Sequence, residues 1–349
     1  MVNRLISEKR IPWGHLVAFG WMPSFLKAFI YRTFLGYRVG RGVTFGPGSV
    51  VSGTDVELGD FVEIGALAVV QGRTIRMGAH SSIGTMSYVS CRVIEIGEDA
   101  RIREQVYVGG PQLPESRFVL GARTIVLQMA YINPTMPVII GDDTGIGGHT
   151  LIFTHGAWLN AMDGYPADYR PVTIGNSVWF PWRVFVMPGS TVGDGCVIGA
   201  NSLVSGDIPA GSLAVGTPAK VIKSAPEWPK RPDAAGRAAL VETMLSEFDR
   251  FVADNGVRRS GNGADRTYQG PHGAGRLVWR RAGEHFPDLS PGITLLTEEA
   301  LTGPQRGELT DRGIWWLDLG GRTRSREGSP LTEELALFLG RYGIRLPRA

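Results

Sequence analysis

The sequence predicts a mainly β solenoid of very short strands, three to a coil, with a helical segment before it and a small α/β module after it. Three observations carry this. From Val39 onward aliphatic residues recur every six positions, as in "VGRGVT", "FGPGSV" and later "VGDGCV", "IGANSL", "VSGDIP", a period too short for helices and suited to stacked coils. Gly40, Gly59, Gly78 and Gly97 are each nineteen apart, which is three hexapeptides plus one residue, so they mark one corner of successive coils. The 48 glycines among 349 residues are roughly twice ordinary usage, as many tight corners require.

Residues 1–38 form the N-terminal segment. Its stretch "IPWGHLVAFGWMPSFLKAFIYRTFLGYR" is apolar and aromatic, but Pro12, Pro23, Lys27 and Arg32 interrupt it, leaving no run of about 18 apolar residues to span a bilayer. A helix is expected over 24–36, with Phe25, Phe29 and Phe34 on its apolar side and Lys27 and Arg32 near its polar side. It would pack over the end of the next domain or lie on a membrane surface, which makes residues 11–36 a candidate peripheral membrane contact.

The solenoid occupies 39–223. After Gly97 the corner glycines Gly121, Gly141, Gly175 and Gly193 follow at 24, 20, 34 and 18 residues. The coil from Gly141 to Gly175 therefore holds a large insertion, the loop 156–170, which begins just after His155 in "IFTHGAW". Residues 224–236 read as a Pro-rich linker, and 237–349 as the α/β module. Within it "RAALVETMLSEFDRFVADNG" is expected as a helix burying Leu240, Met244, Phe248 and Phe251. "RLVWR", "GITLL" and "GIWWLDL" are expected strands, and "SPLTEELALFLGRYG" is a last helix starting at Ser329 or Pro330. The module carries no phosphate loop or metal constellation, and bracing or capping the solenoid is the expected task.

A net charge of +3 without a basic stripe argues against nucleic acid. Cys91 and Cys196 lie far apart in a chain without a cleavable leader pattern, so a reduced cytoplasmic setting is expected, with both thiols as core fillers.

The segments "RPVTIGNSVWF", "VMPGSTVGDGCVIGANSLV" and "SGDIPAGSLAVGTPAKVIK" resemble the hexapeptide-repeat acyltransferases, and the resemblance covers 39–223. It implies that the coils form a left-handed parallel β-helix, a handedness that the spacing does not give. The closest branch is that of the maltose, nodulation-factor and xenobiotic acetyltransferases, in which a histidine precedes a long loop returning at a "PVTIG"-like strand. Here His155 precedes the loop and Pro171 opens "PVTIG", so His155 is the implied catalytic base. The resemblance further implies a homotrimer with acetyl-CoA, or another acyl-CoA, in the groove between subunits. Gly199, Ala200, Thr217, Pro218, Ala219 and Lys220 match the donor-binding positions. Two departures stand out. "VWFPWRV" places Pro181 and Trp182 where the family has small residues, putting an indole in the donor groove, and Gly206 replaces a common lysine.

An imidazole, with a reference pKa of about 6.5, can take the proton that a hydroxyl or amine loses as it attacks a thioester. Asn133, Gln128 and Asn160 are candidate donors to the developing oxyanion. Asp163 and Asp168 are candidates to orient the imidazole or bind the acceptor. His80 and His149 share the hexapeptide position of His155, which raises the alternative of a gamma-type carbonic anhydrase. The six-residue step from His149 to His155 turns the second ring to the next face, so no metal is expected. By family habit the acceptor is a sugar, in a cell-surface glycan. The other alternative is a β-helical scaffold that has lost donor binding.

Overall fold

The structure, a computed structural model, describes residues 11–349, so the first ten residues of the expected N-terminal segment lie outside the described residues. The chain divides into two units, one ending at Lys230 and the other spanning Arg231–Ala349.

The first unit is a left-handed parallel β-helix with three faces. The first face has nine strands, from Arg38–Val39 to Asp207–Ile208, and the third has eight, from Val50–Ser52 to Leu203–Val204. The second face has ten, beginning at Thr44–Phe45 and closed by Lys220–Lys223, which runs antiparallel to Leu213–Val215. Each strand pairs with its counterpart one coil away, as Ile94 does with Ile75 and Phe118. These aliphatic and aromatic side chains point inward and stack into one fully buried column, which is why the repeat demands an apolar residue at that position.

The corner glycines stack as well. A Cβ built on Gly78 would lie 2.5 Å from the amide nitrogen of Glu98, and one on Gly97 2.4 Å from that of Ala122. Backbones of successive coils meet too closely there for any side chain. Other corners turn through non-glycine residues in the left-handed region, including His80, His149, Arg183 and Asn201 with φ of 60°, 56°, 62° and 57°. Each costs roughly 1 kcal/mol, and coil-to-coil bonds such as His149 N–H to the Gln128 carbonyl (3.1 Å) hold the turn. The small residues of the repeat have a second task, since Ser81 Oγ donates to the Gly78 carbonyl (2.7 Å) and Thr144 Oγ1 to that of Gly175 (2.9 Å). Cys91 and Cys196 are buried, and burial pushes both thiols up.

Helices α1 (Trp13–Phe19) and α2 (Ser24–Thr33) precede the coils. The expected α2 exists, but its faces are reversed. Lys27 is fully buried, its Nζ donating to the carbonyls of Ser49 (2.7 Å) and Gly20 (3.1 Å), whereas Phe25, Phe29 and Phe34 are 78%, 55% and 72% exposed. The first coil has an open edge whose backbone groups lack a neighbouring coil, and polar groups of α2 replace it. Thus Ser24 Oγ accepts from Phe45 N–H (2.9 Å), and the Tyr31 hydroxyl from Val51 N–H (3.2 Å). No helix among the described residues is long and apolar enough to cross a membrane.

The second unit is a six-stranded mixed sheet with helices α3 (Ala234–Asp254), α4 (Gly303–Asp311) and α5 (Pro330–Leu339). Its centre is the expected strand set, found as Gly273–Arg280, Ile293–Thr297 and Trp315–Asp318 and paired in parallel. The hairpin Arg258–Asn262 with Asp265–Gly270 extends one edge. On α3 the buried face is Val241, Met244, Leu245, Phe248 and Val252, while Leu240 is exposed. The expected start of α5 is capped by Ser329 Oγ, which accepts from Thr332 N–H at 3.1 Å.

Candidate active site

The third-face strand Leu151–Phe153 leads directly into Thr154, which is fully buried. Its hydroxyl donates to the Asn133 carbonyl (2.7 Å) and accepts from Met136 N–H (2.9 Å), and its carbonyl accepts from Arg170 N–H (3.0 Å). Thr154 thereby pins both ends of the insertion to the preceding coil. His155 and Gly156 then pair antiparallel with Tyr169 and Asp168, so the loop leaves and returns as a short hairpin. The half-buried His155 ring lies nearly parallel to that of Tyr169, with centroids 5.7 Å apart, and its Nδ1 is buried without a hydrogen-bond partner. Tyr169 thus fixes the imidazole plane where a carboxylate was expected to orient it.

Asn133 lies one coil below and is buried at 4% exposure, with Oδ1 accepting from Thr135 Oγ1 (2.7 Å) and Thr135 N–H (3.2 Å). It sits in the same network as Thr154, beneath the root of His155. Asp163 is exposed in a short turn, Ala161–Asp163, that Asn160 caps through its bond from Met162 N–H (3.0 Å). Asp168 is taken up by Arg170, whose guanidinium meets both carboxylate oxygens at 2.6 and 2.5 Å and holds the carboxyl below its ordinary range. Trp158 and Met162 are 95% and 91% exposed, so the loop projects away from its own chain. Gln128 gives its backbone carbonyl to the His149 corner.

The family-matched donor positions share one corner, between the second and third faces. Successive coils contribute Gly148 and His149, then Trp182 and Arg183, then Gly199 to Asn201, then Thr217 and Pro218. They are tied by Arg183 N–H to the Gly148 carbonyl (3.0 Å), Asn201 N–H to the Trp182 carbonyl (3.1 Å) and Thr217 Oγ1 to the Asn201 carbonyl (3.2 Å). The indole of Trp182 covers Gly148, where a Cβ would come within 2.5 Å of it, and it lies 5.6 Å from the His149 ring. Gly148 is the compensation that lets the corner carry an indole. Ala219 is half-buried and Lys220 exposed beside this corner. The small, exposed residues and the free-standing lysine suit an extended donor with phosphate groups.

His155 ends the same face that His149 begins, six residues earlier, a path of about 20 Å at roughly 3.3 Å per residue. The implied base and the implied donor corner therefore occupy opposite edges of one face. His149 and His155 likewise sit at different corners, and among the described residues no three His, Cys, Asp or Glu side chains are grouped to hold a metal.

No family model matches the chain. The galactoside O-acetyltransferase of Escherichia coli is 32% identical over 120 residues, 32% of this chain and 58% of that protein. A candidate acetyltransferase of Staphylococcus aureus is 55% identical over 53 residues, covering 15% of this chain and 27% of its own. The chain thus spans less than two thirds of the length of these curated relatives. Among solved structures, a hexapeptide-repeat acetyltransferase of Vibrio cholerae complexed with acetyl coenzyme A shares 25% identity, with 43% of this chain and 70% of that one covered and a TM-score of 0.31. The curated relatives that this chain matches are named as acetyltransferases.

Proposed function

We propose that this protein is a cytoplasmic acyl-CoA-dependent O- or N-acyltransferase, with acetyl the first acyl group to test and a sugar hydroxyl or amine as acceptor. The observation that carries the proposal is the rooting of His155 at the one large insertion, between the Thr154 anchor and the Tyr169 ring, in a chain whose homologues are acetyltransferases. In this reading the acyl-CoA supplies an activated thioester carbonyl. Trp182, Gly199, Ala200, Thr217, Pro218 and Ala219 line the pantetheine path, and Lys220 meets phosphate. His155 removes the acceptor proton, Asn133 holds the root from below, and Asp163 faces the acceptor from the loop.

A homotrimer belongs to the proposal because a second copy can set its donor corner against the His155 edge of the first. The exposed loop side chains Trp158 and Met162 would then gain a partner. Names such as galactoside O-acetyltransferase support a sugar acceptor. A cell-surface glycan made at the inner face of a membrane accords with a peripheral contact through residues 11–36. The test is release of free coenzyme A from acetyl-CoA over a panel of mono- and oligosaccharides. Acceptor-dependent release is the expected result. Failure to bind coenzyme A at all would leave a β-helical scaffold instead.

A further inference from the structure

The N-terminal helices show how a membrane contact would be built. Trp13, Val17, Trp21, Phe25, Phe29 and Phe34 are between 55% and 80% exposed. Trp13 and Val17, and Phe25 and Phe29, are spaced four apart on α1 and α2, which places each pair on one side of its helix. These residues are not spare core. The opposite side of α2 is consumed in closing the first coil through Ser24, Lys27 and Tyr31. The apolar side is therefore left outward by a construction that fixes the polar side inward.

Charge indicates what covers it. Residues 11–36 contain no Asp or Glu in a chain that has 33 of them. Arg32 is exposed beside the aromatic face and donates to the carbonyls of Val39 and Gly40, and among the described residues its charge meets no carboxylate. The sequence immediately before the helices adds Arg4, Lys9 and Arg10 against Glu8. Aromatic residues, indoles above all, favour the headgroup level of a bilayer, and cations favour its anionic lipids. An ordinary protein partner would not require a stretch free of acids.

We infer that the outward aromatic face of α1 and α2 docks this protein, in the plane of the interface, on a bilayer containing anionic lipid. This deepens the peripheral contact named above but does not rest on His155. The test is co-sedimentation of the full chain with vesicles of phosphatidylcholine alone and of phosphatidylcholine with phosphatidylglycerol, at low and high salt. Binding should favour the phosphatidylglycerol vesicles and weaken with salt. Trp21→Ser and Phe25→Ser should each lower the partition coefficient by about tenfold, roughly 1.4 kcal/mol, with the melting temperature unchanged because both side chains are exposed. His155→Ala should sediment like the native protein, which separates this inference from the catalytic reading. No sedimentation with either vesicle, or equal binding to both, would overturn it. So would a concentration-dependent oligomer that the aromatic variants dissociate, because the face would then be covered by a second copy.

Discussion

Lys27 gives the sharpest physical consequence of the capped first coil. It is a fully buried ammonium that donates to two carbonyls and lies 5.6 Å from the Phe45 ring centre, and burial brings its pKa down from 10.5 to about 8. Below about pH 8 the lysine is charged in both folded and unfolded chains, and the folded state bears the full desolvation cost. Between about 8 and 10.5 the unfolded chain binds a proton that the folded chain does not, so stability rises with pH. The slope approaches about 1.4 kcal/mol per pH unit, so between about pH 8 and 10.5 the gain is at most roughly 3 kcal/mol. In Lys27→Met the site no longer titrates, while the Ser49 and Gly20 carbonyls lose their donor, at about 1–3 kcal/mol. Urea unfolding of both proteins at pH 7.5, 8.5 and 9.5 isolates the term, since every other titrating group cancels in the difference. The native protein should gain on the variant as pH rises. A constant difference across that range would refute the placement of Lys27 as a buried, titrating cap.

Other consequences follow from the coils and the second unit. Gly147→Ala should destabilise the β-helix by about 2 kcal/mol or more, read as a lowered melting temperature, because its Cβ would lie 2.1 Å from the Pro181 carbonyl oxygen. Arg266 is 1% exposed between Glu242 (2.5 Å) and Asp249 (3.2 Å). Arg266→Met should cost about 1–3 kcal/mol by taking one charged donor from Asp249, which keeps the Tyr268 hydroxyl (2.7 Å) and Arg259 (3.4 Å), whereas Arg276→Ala, at an exposed pair with Asp265, should cost less than about 1 kcal/mol. If the donor corner is assigned correctly, Lys220→Ala should raise KM for acetyl-CoA about tenfold with little change in kcat, an effect that fades with added salt.

The β-helix was legible because its repeat is a direct trace of geometry: inward apolar residues at a fixed step, and corners where only glycine fits. The insertion after His155 stood out for the same reason, as a break in the spacing of corner glycines. The reversed faces of α2 were not legible. Amphipathic reasoning assumes that the apolar side meets the protein, whereas an open coil edge needs hydroxyl and ammonium groups. Tyr169 and Thr154 were also missed. Two-residue strands such as His155–Gly156 leave no periodicity, and an inward threonine reads as routine repeat. In the second unit, α4 and the Arg258–Gly270 hairpin escaped notice. Neither has an apolar period: α4 is polar, and the hairpin is rich in Gly and Arg. The opposite-edge placement of His155 and Trp182 follows from counting corners, a step that the linear motifs alone do not supply.

The central claim is that His155 is the base of an acyl transfer. It is tested most directly by coenzyme A release, with the best sugar of the panel at saturating acetyl-CoA, for the native protein and His155→Ala at equal folded concentration. The account predicts at least about a hundred-fold lower kcat in the variant, with coenzyme A binding retained. A His155→Ala protein as active as the native one would contradict it.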